Sequence, residues 1–261
     1  MSVRNWMDLR APEFAALDPM TAIAVLPLAA VEQHGPHLPV GTDSLIAGGM
    51  LASVAALCPA DLNLLVLPVQ CIGKSNEHLW ARGTLTLSAE AAMAAWLDIG
   101  LSVARAGVRK VILVNSHGGN ADLMSILGRE LRVRAGMLAV RASWSAMGVP
   151  EGMYSERERM FGIHGGDYET SVMLHFRPDL VDMTAAQDFR SSAEGAAIPP
   201  TGPIGYGWIA SDLNPAGVAG DAHLATADKG RLTVAHQAHG FLRLAAEVRA
   251  HPMTGFAPVL S

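Results

Sequence analysis

Several features that define other classes of protein are scarce in this sequence. Only two cysteines occur, Cys58 and Cys71, and they form no CxxC pair, which excludes a cysteine-rich zinc module and suits a reducing cytoplasm. No apolar run approaches the roughly 18–20 residues needed to span a bilayer. The first residues carry charges where a signal peptide has its apolar core. We therefore expect a cytoplasmic protein without a membrane partner.

Charge and aromatic content exclude further classes. The formal net charge is −5 at neutral pH, whereas a nucleic-acid-binding face calls for clustered basic residues. Five tryptophans and three tyrosines are scattered along the chain and do not predict a base-stacking surface. We therefore expect no nucleic-acid partner. Hydrophobic residues make up 50% of the sequence and charged residues 16%, which indicates a globular protein with a sizeable core.

Short apolar runs alternate with helical patterns along much of the chain. The apolar runs predict buried strands over Thr21–Leu28, Asn63–Val69, Lys110–Asn115 and Met137–Ala142. Helices are predicted over Ser44–Leu57, Ser88–Ala106, Ala121–Arg134, Asp167–Phe176 and 228–250. This alternation indicates parallel βαβ units in an α/β fold. Because no repeat or strong composition shift interrupts it, one domain is predicted over residues 1–261.

Potential metal ligands follow two of the predicted strands. Glu32, His34 and Asp43 come after the first strand, and His117 comes after the third. Ligands of an open parallel sheet bind beyond the carboxyl ends of its strands, so these side chains should meet at one edge of the sheet. Taken alone, Asp43 would more often be a helix N-cap, and the turn Ser116–Asn120 could instead bind an anion. The convergence favours a metal site.

A further carboxylate is expected from the segment that begins at His164. Asp167 and Glu169 open a predicted helix there, and we interpret Asp167 as an N-cap. Glu169 has no such role, and a cation would offset the cost of burying its charge. The segment Ser191–Pro215 is rich in glycine, proline and serine and is long for a connection. It is predicted to form a flap or an edge hairpin over the site.

Imidazole and carboxylate ligands without thiolates suit Zn²⁺ or Mn²⁺. Five candidate ligands exceed the number that one tetrahedral zinc uses, so two divalent ions sharing a bridging carboxylate fit better. Such a pair would hold a water between the ions and bring its pKa from 15.7 to about 7, which supplies hydroxide at neutral pH. His164 is then the candidate catalytic residue, shuttling a proton to the leaving nitrogen.

At these residues the sequence resembles the creatininase family of metal-dependent amidohydrolases. The matching motifs are Glu32–Pro39 (EQHGPHLP) with Gly41–Asp43 (GTD), Asn115–Asn120 (NSHGGN) and His164–Ser171 (HGGDYETS). The resemblance implies a three-layer α/β/α sandwich around a mainly parallel sheet. It also implies a homo-oligomer, commonly a hexamer, that hydrolyses a C–N bond in a small cyclic or linear amide of the creatinine, lactam or formamide type.

The resemblance assigns the metal ligands residue by residue. Glu32, Asp43 and His117 would hold one ion, and His34, the bridging Asp43 and a further carboxylate would hold the other. In creatininase the turn that matches Ser116–Asn120 carries a tyrosine and a metal-site glutamate, where this chain has Gly118 and Gly119. Glu169 is therefore our prediction for the last ligand.

Two other classes of function are weighed against this interpretation. A nucleotide- or phosphate-binding α/β module could use the turn Ser116–Asn120 and the triplet Gly73–Ser75. A P-loop would, however, need glycine where this chain has Pro68. A non-catalytic relative that keeps its metal as a structural element is the other alternative. It is less favoured because the ligand positions are filled.

Overall fold

A five-stranded parallel sheet forms the centre of the computed structural model, which describes residues 2–259. Its strands are β1 (Val3–Asn5), β2 (Ala22–Leu28), β3 (Asn63–Val66), β4 (Lys110–Asn115) and β5 (Leu138–Ser143), in the spatial order β1-β3-β2-β4-β5. Every neighbouring pair is parallel. In this register Leu28 lies opposite Asn115, so the loops that follow β2 and β4 leave the sheet side by side.

Helices cover both faces of the sheet. They are α1 (Ala11–Ala15), α2 (Thr42–Leu57), α3 (Ala89–Arg105), α4 (Ala121–Ala135), α5 (Glu156–Phe161), α6 (Asp167–Phe176), α7 (Ala210–Leu213) and α8 (Ala227–Ala250). Residues of α2, α6 and α8 pack in one core with Ile23 and Val25 of β2. Residues of α3 and α4 pack in a second core with Ala24 and Leu26. The predicted three-layer α/β/α sandwich is confirmed.

The position of β2 at the centre of the sheet explains why its sequence is apolar throughout. Each of its residues is buried, because successive side chains point alternately into the two cores. A strand with one face in water would need polar residues at every second position. Within the described residues, none of the helices has the length and apolar character needed to cross a membrane.

The predicted elements are present with shifted ends. Ser88 caps α3 as predicted, because its hydroxyl accepts a hydrogen bond from the Ala91 backbone N–H at 3.2 Å. The strand predicted to reach Val69 ends at Val66, two residues before Pro68, which has no N–H to give to a ladder. The edge strand β1 was not predicted. Its three residues are half-buried or exposed and form no apolar run.

The segment predicted as a flap lies beside the carboxyl edge of the sheet. A two-stranded antiparallel ribbon, β6 (Asp188–Phe189) with β7 (Gly220–Asp221), closes its base. The guanidinium of Arg157 binds three carboxylates around this base, those of Asp188, Glu194 and Asp221, at 2.6–2.8 Å. Within the flap, the Trp208 indole N–H donates to the Pro200 carbonyl at 2.9 Å. The flap is thereby tied to α5.

Candidate metal centre

The structure brings all the predicted ligands together at the carboxyl edge of the sheet. Glu32 and His34 lie in the loop after β2, and His117 lies directly after β4. Asp43 and Glu169 come from the first turns of α2 and α6. All but the partly buried Glu169 are buried. Because β2 and β4 are neighbours and parallel, the fold itself produces this convergence.

Three overlapping groups of side chains have the spacing of a metal site. In each group, one potential ligand atom per residue lies within 4.8 Å of the others. The groups are His34, Asp43 and Glu169; Glu32, Glu77 and His117; and Glu32, His34 and His164. The first group contains the ligands that the resemblance assigned to the second ion. The group with Glu77 contains a residue that the sequence did not single out.

Backbone contacts fix the orientation of His117. Its Nε2–H donates to the Lys74 carbonyl oxygen at 3.0 Å, because a carbonyl oxygen can only accept. The opposite nitrogen, Nδ1, therefore faces Glu32 Oε1 at 3.1 Å and Asp43 Oδ2 at 3.4 Å, and the charge of Glu32 raises the pKa of His117 well above its usual value despite burial. A metal ion in place of the Nδ1 proton would have the same carboxylates around it.

His34 is oriented in the same way from the other side of Asp43. Its Nδ1–H donates to the backbone oxygen of Glu32 at 3.0 Å. Its Nε2 then faces Asp43 Oδ1 at 3.5 Å. The two oxygens of Asp43 thus face different imidazoles, His34 and His117. Asp43 therefore links the two imidazoles within one cluster.

Unpaired buried atoms provide a test of whether these residues fit a metal. Within the described residues, Glu32 Oε2, His34 Nε2, Asp43 Oδ2 and Glu77 Oε2 are buried and have no hydrogen-bond partner. A buried polar atom without a partner costs roughly 1–3 kcal/mol. Bound cations would give these four atoms the partners that they lack. The donor set fits divalent metal ions.

The pKa values of Glu169 and Asp43 are shifted in opposite directions. Burial raises the pKa of Glu169 to about 7, although the Gly165 N–H donates to its Oε2 at 2.5 Å. Burial would also raise the pKa of Asp43, but the imidazoles of His34 and His117 overcome burial and hold it below its usual value. Without a cation, Glu169 is therefore the weakest acid of this pair.

His164 lies between two other imidazoles. Its ring centroid is 4.2 Å from that of His34 and 4.3 Å from that of His78. Its Nε2–H donates to the Gln33 carbonyl at 2.7 Å, which leaves the Nδ1 lone pair 3.6 Å from Glu32 Oε1. Burial, followed by the charge of His34, holds the pKa of His164 well below its usual value. A neutral imidazole in this position can accept a proton or bind a metal.

Sequence reasoning missed two residues of this centre, Glu77 and His78. Both lie in the 3₁₀ turn Asn76–His78, in the loop after β3. His78 Nδ1 accepts from the Gln33 amide at 2.8 Å, so its Nε2–H points at Glu32 Oε1, 3.5 Å away. Burial lowers the pKa of His78 to about 3. The signal that could have found them is the position of this loop, since β3 ends at the same edge as β2.

The structure excludes the capping alternative for Asp43, and the capping prediction for Asp167 is wrong. The N-cap of α2 is Gly41, and Asp43 lies inside the first turn with its carboxylate in the cluster. The N-cap of α6 is Gly166. Asp167 instead accepts from Lys229 Nζ at 2.5 Å and from the Ser171 hydroxyl at 3.0 Å. Asp167 therefore anchors α8 to α6.

Cavities open on both sides of the centre. One, of about 440 Å³, is lined by side chains of the cluster and by flap residues, among them Glu32, Glu77, His117, His164, Tyr206 and Trp208. The other, of about 290 Å³, reaches His117 and Glu169 past Trp144. Trp144 is itself buried against Phe241 at a centroid distance of 5.2 Å. The larger cavity gives a ligand direct access to the cluster.

Comparison with known proteins identifies the family. The family model for Creatininase, described as creatinine amidohydrolase, matches residues 7–245. The chain belongs to the creatininase family. It is 34% identical over 212 residues to the mycofactocin precursor peptide peptidase of Mycobacterium ulcerans (strain Agy99), covering 79% of this chain and 78% of that protein. It is 31% identical over 182 residues to the creatinine amidohydrolase of Pseudomonas putida, covering 64% and 68%.

Solved creatininase structures share the fold of this chain. A manganese form matches with a TM-score of 0.74 and 24% identity, covering 95% of this chain and 99% of that one. A Zn–Zn form of a creatininase mutant matches with a TM-score of 0.74 and 25% identity, covering 95% and 98%. The fold of this chain is therefore that of creatininase, as the sequence motifs predicted.

Proposed function

We propose that the protein is a two-metal hydrolase of amide C–N bonds that uses Zn²⁺, Mn²⁺ or both. The observation that carries the proposal is the set of unpaired imidazole and carboxylate atoms at one edge of the sheet. Glu32, Asp43 and His117 would hold one ion. His34, the shared Asp43 and Glu169 would hold the other.

The ions and the residues around them have separate roles in the proposed reaction. When bound, the ions would lower the pKa of water toward 7 and polarise the substrate carbonyl. The Gln33 carbonyl orients His164 so that its Nδ1 faces the cluster. We assign His164 the transfer of a proton from the attacking water to the leaving nitrogen. Tyr206 and Trp208 of the flap line the larger cavity, where they would contact a bound substrate.

The substrate is the less defined part of this proposal. A cavity of about 440 Å³ falls in the range of roughly 300–1,000 Å³ that holds drug-sized ligands, which gives room for more than one small ring. This favours an amide in a peptide-derived molecule over a small cyclic amide or formamide. The relative from Mycobacterium ulcerans, a mycofactocin precursor peptide peptidase, supports the same choice.

The experiment compares metal content and hydrolysis in one set of variants. Wild-type protein loaded with Zn²⁺ or Mn²⁺ is offered short peptides, cyclic amides and formamides. His117→Ala should lose metal and at least 100-fold in activity, because its Nδ1 lies between two carboxylate ligands. His164→Asn should lose turnover while keeping both ions. The exposed His239→Ala on α8 serves as the control.

Contrary outcomes separate the alternatives. Full activity in His117→Ala would refute its assigned role, and loss of metal in His164→Asn would make His164 a ligand. Metal binding without hydrolysis of any substrate would favour a non-catalytic relative. Binding of phosphate without metal would favour the anion-binding module. The carboxylates of Glu32 and Glu77 beside the turn Gly118–Asn120 speak against that module.

Assembly and location form the last part of the proposal. We expect a cytoplasmic homo-oligomer, a hexamer by analogy with the family. Leu79, Trp80 and Leu85 expose large apolar surfaces on one loop, as a subunit contact would require. Both cysteines are free thiols, which suits a reducing compartment. Light scattering on the purified protein measures the number of subunits.

A further inference from the structure

The turn after β4 has no room for a side chain at position 119. An ideal Cβ on Gly119 would lie 2.5 Å from His117 Nε2. It would come even closer to the Lys74 carbonyl oxygen and to Glu77 Oε1. Real Cβ atoms are essentially never found within 3.0 Å of another atom in this way. The space that a residue at 119 would use is therefore filled by the carboxylate of Glu77, which comes from the loop after β3.

Glu77 has the surroundings of a metal-site carboxylate. Its side chain is only 12% exposed, and Oε2 is buried without a hydrogen-bond partner in the part of the chain described. Oε1 lies 3.5 Å from Nε2 of His117, the imidazole whose other nitrogen, Nδ1, faces Glu32 and Asp43. A ligand atom of Glu77 also lies within 4.8 Å of one from Glu32 and one from His117.

Several carboxylates gather around Glu77, and the imidazoles of His34 and His117, whose pKa values these carboxylates raise, offset part of their charge. Glu32 and Glu77 place two carboxylates in one buried cluster, and Asp43 adds a third through His117. The nearest ammonium, Lys74 Nζ, lies 3.7 Å from Glu77 Oε2 and is partly exposed. Like charges at this separation repel strongly when they are shielded from water. A divalent cation among them would offset that repulsion.

We propose that Glu77 contributes a carboxylate to the ion held by Glu32, Asp43 and His117. It would add a carboxylate from the loop after β3 to that ion, and Glu169 remains our prediction for the other ion. The inference rests on the proposed function, because it presumes a metal centre. An additional carboxylate oxygen suits Mn²⁺, which prefers oxygen ligands.

The test is a titration of the metal-free protein with Mn²⁺. The electron paramagnetic resonance signal measures the concentration of free Mn²⁺ at each step. Wild-type protein should bind two Mn²⁺ per chain. In Glu77→Gln, one of the two dissociation constants should rise at least tenfold while the other stays unchanged. The control is Asp122→Asn, which removes the same charge from an exposed position of the same cavity. Both of its dissociation constants should match wild type.

A second variant separates ligation from the loss of an ion pair. If Glu77→Gln weakened binding only by freeing the charge of Lys74, adding Lys74→Met would restore it. We expect no restoration, and restoration would overturn the inference. Wild-type affinities in Glu77→Gln would also overturn it and would leave the proposed function intact. Failure of the wild-type protein to bind Mn²⁺ or Zn²⁺ would instead remove the proposed function.

Discussion

Single histidines at the centre are oriented by backbone carbonyls. His34, His117 and His164 each donate one ring N–H to a main-chain oxygen, at 3.0, 3.0 and 2.7 Å respectively. Each therefore turns its other nitrogen toward the carboxylates. The backbone thus fixes which nitrogen of each ring faces the cluster and could bind a metal. The sequence shows which residue types are present, but the carbonyls that orient them come from loops distant in the chain.

His37 has a structural role and supports a prediction about pH. Its Nε2–H donates to the Gly165 carbonyl at 3.0 Å, which ties the loop after β2 to the segment before α6. Its Nδ1 is buried and has no hydrogen-bond partner among the described residues, so a second proton there is unfavourable. Burial accordingly lowers the pKa of His37 to about 4, from about 6.5 in an unfolded chain.

The sign of the effect follows from proton uptake. Between pH 6.5 and 4 the unfolded chain binds this proton and the folded protein does not, so the free energy of unfolding falls as the pH drops. The His37 contribution to this fall is on the order of 3 kcal/mol. His37→Gln keeps an N–H donor but does not titrate, so its acid loss should be smaller. Urea unfolding at pH 7.5 and 4.5 measures both proteins, and parallel losses would contradict the prediction.

Among the elements, the short helix α5 organises one side of the site through Glu158. The buried carboxylate of Glu158 accepts from the backbone N–H groups of Asp221 in β7 and Tyr168 in α6, at 2.8 and 3.2 Å. A Cβ on Gly162 or Gly166 would collide with this carboxylate, so both positions require glycine. Glu158 thereby fixes the start of α6, which carries Glu169.

Glu158→Gln tests this role. An amide can accept from only one of the two N–H groups and turns its own N–H toward the other, so we expect a loss of roughly 1–3 kcal/mol in the free energy of unfolding. Glu156→Gln changes an exposed residue of the same helix and should have little effect. Urea denaturation of both variants gives the comparison. Equal stability would mean that Glu158 does not hold α6 in place.

Elements with strong apolar or helical patterns could be predicted from the sequence, and so could the site residues that follow them. Glu32, His34, Asp43 and His117 lie together because parallel strands end at one edge, which is a topological argument. Their binding of metal stays a prediction. The same argument places the loop after β3 at this edge, but it does not single out Glu77, because that loop has no periodicity and its path depends on tertiary contacts. Strand β1 was missed because its pairing with β3, and not its composition, makes it a strand.

At the scale of the whole molecule, the proposed ions would join parts that are far apart in sequence. The cluster draws on the loops after β2, β3 and β4 and on the first turns of α2 and α6. Metal-free protein must keep Glu32, Asp43, Glu77 and Glu169 close together without a cation. An ion that binds only the folded protein adds RT ln(1 + [M]/Kd), about 4 kcal/mol when it exceeds its dissociation constant 1,000-fold.

Removal of metal should therefore lower the melting temperature of the whole protein. At about 2–4 °C per kcal/mol for a chain of this size, the fall should be roughly 10 °C, and added Mn²⁺ should reverse it. Calorimetry before and after chelation measures the change, with metal content determined on the same samples. His117→Ala lacks a ligand of one proposed ion, so chelation should lower its melting temperature by less than that of the wild-type protein. If a metal-loaded wild-type sample melted unchanged after its ions were removed, those ions would bind the folded protein no more tightly than the unfolded chain. The unpaired atoms at the sheet edge would then not be the site that the ions occupy.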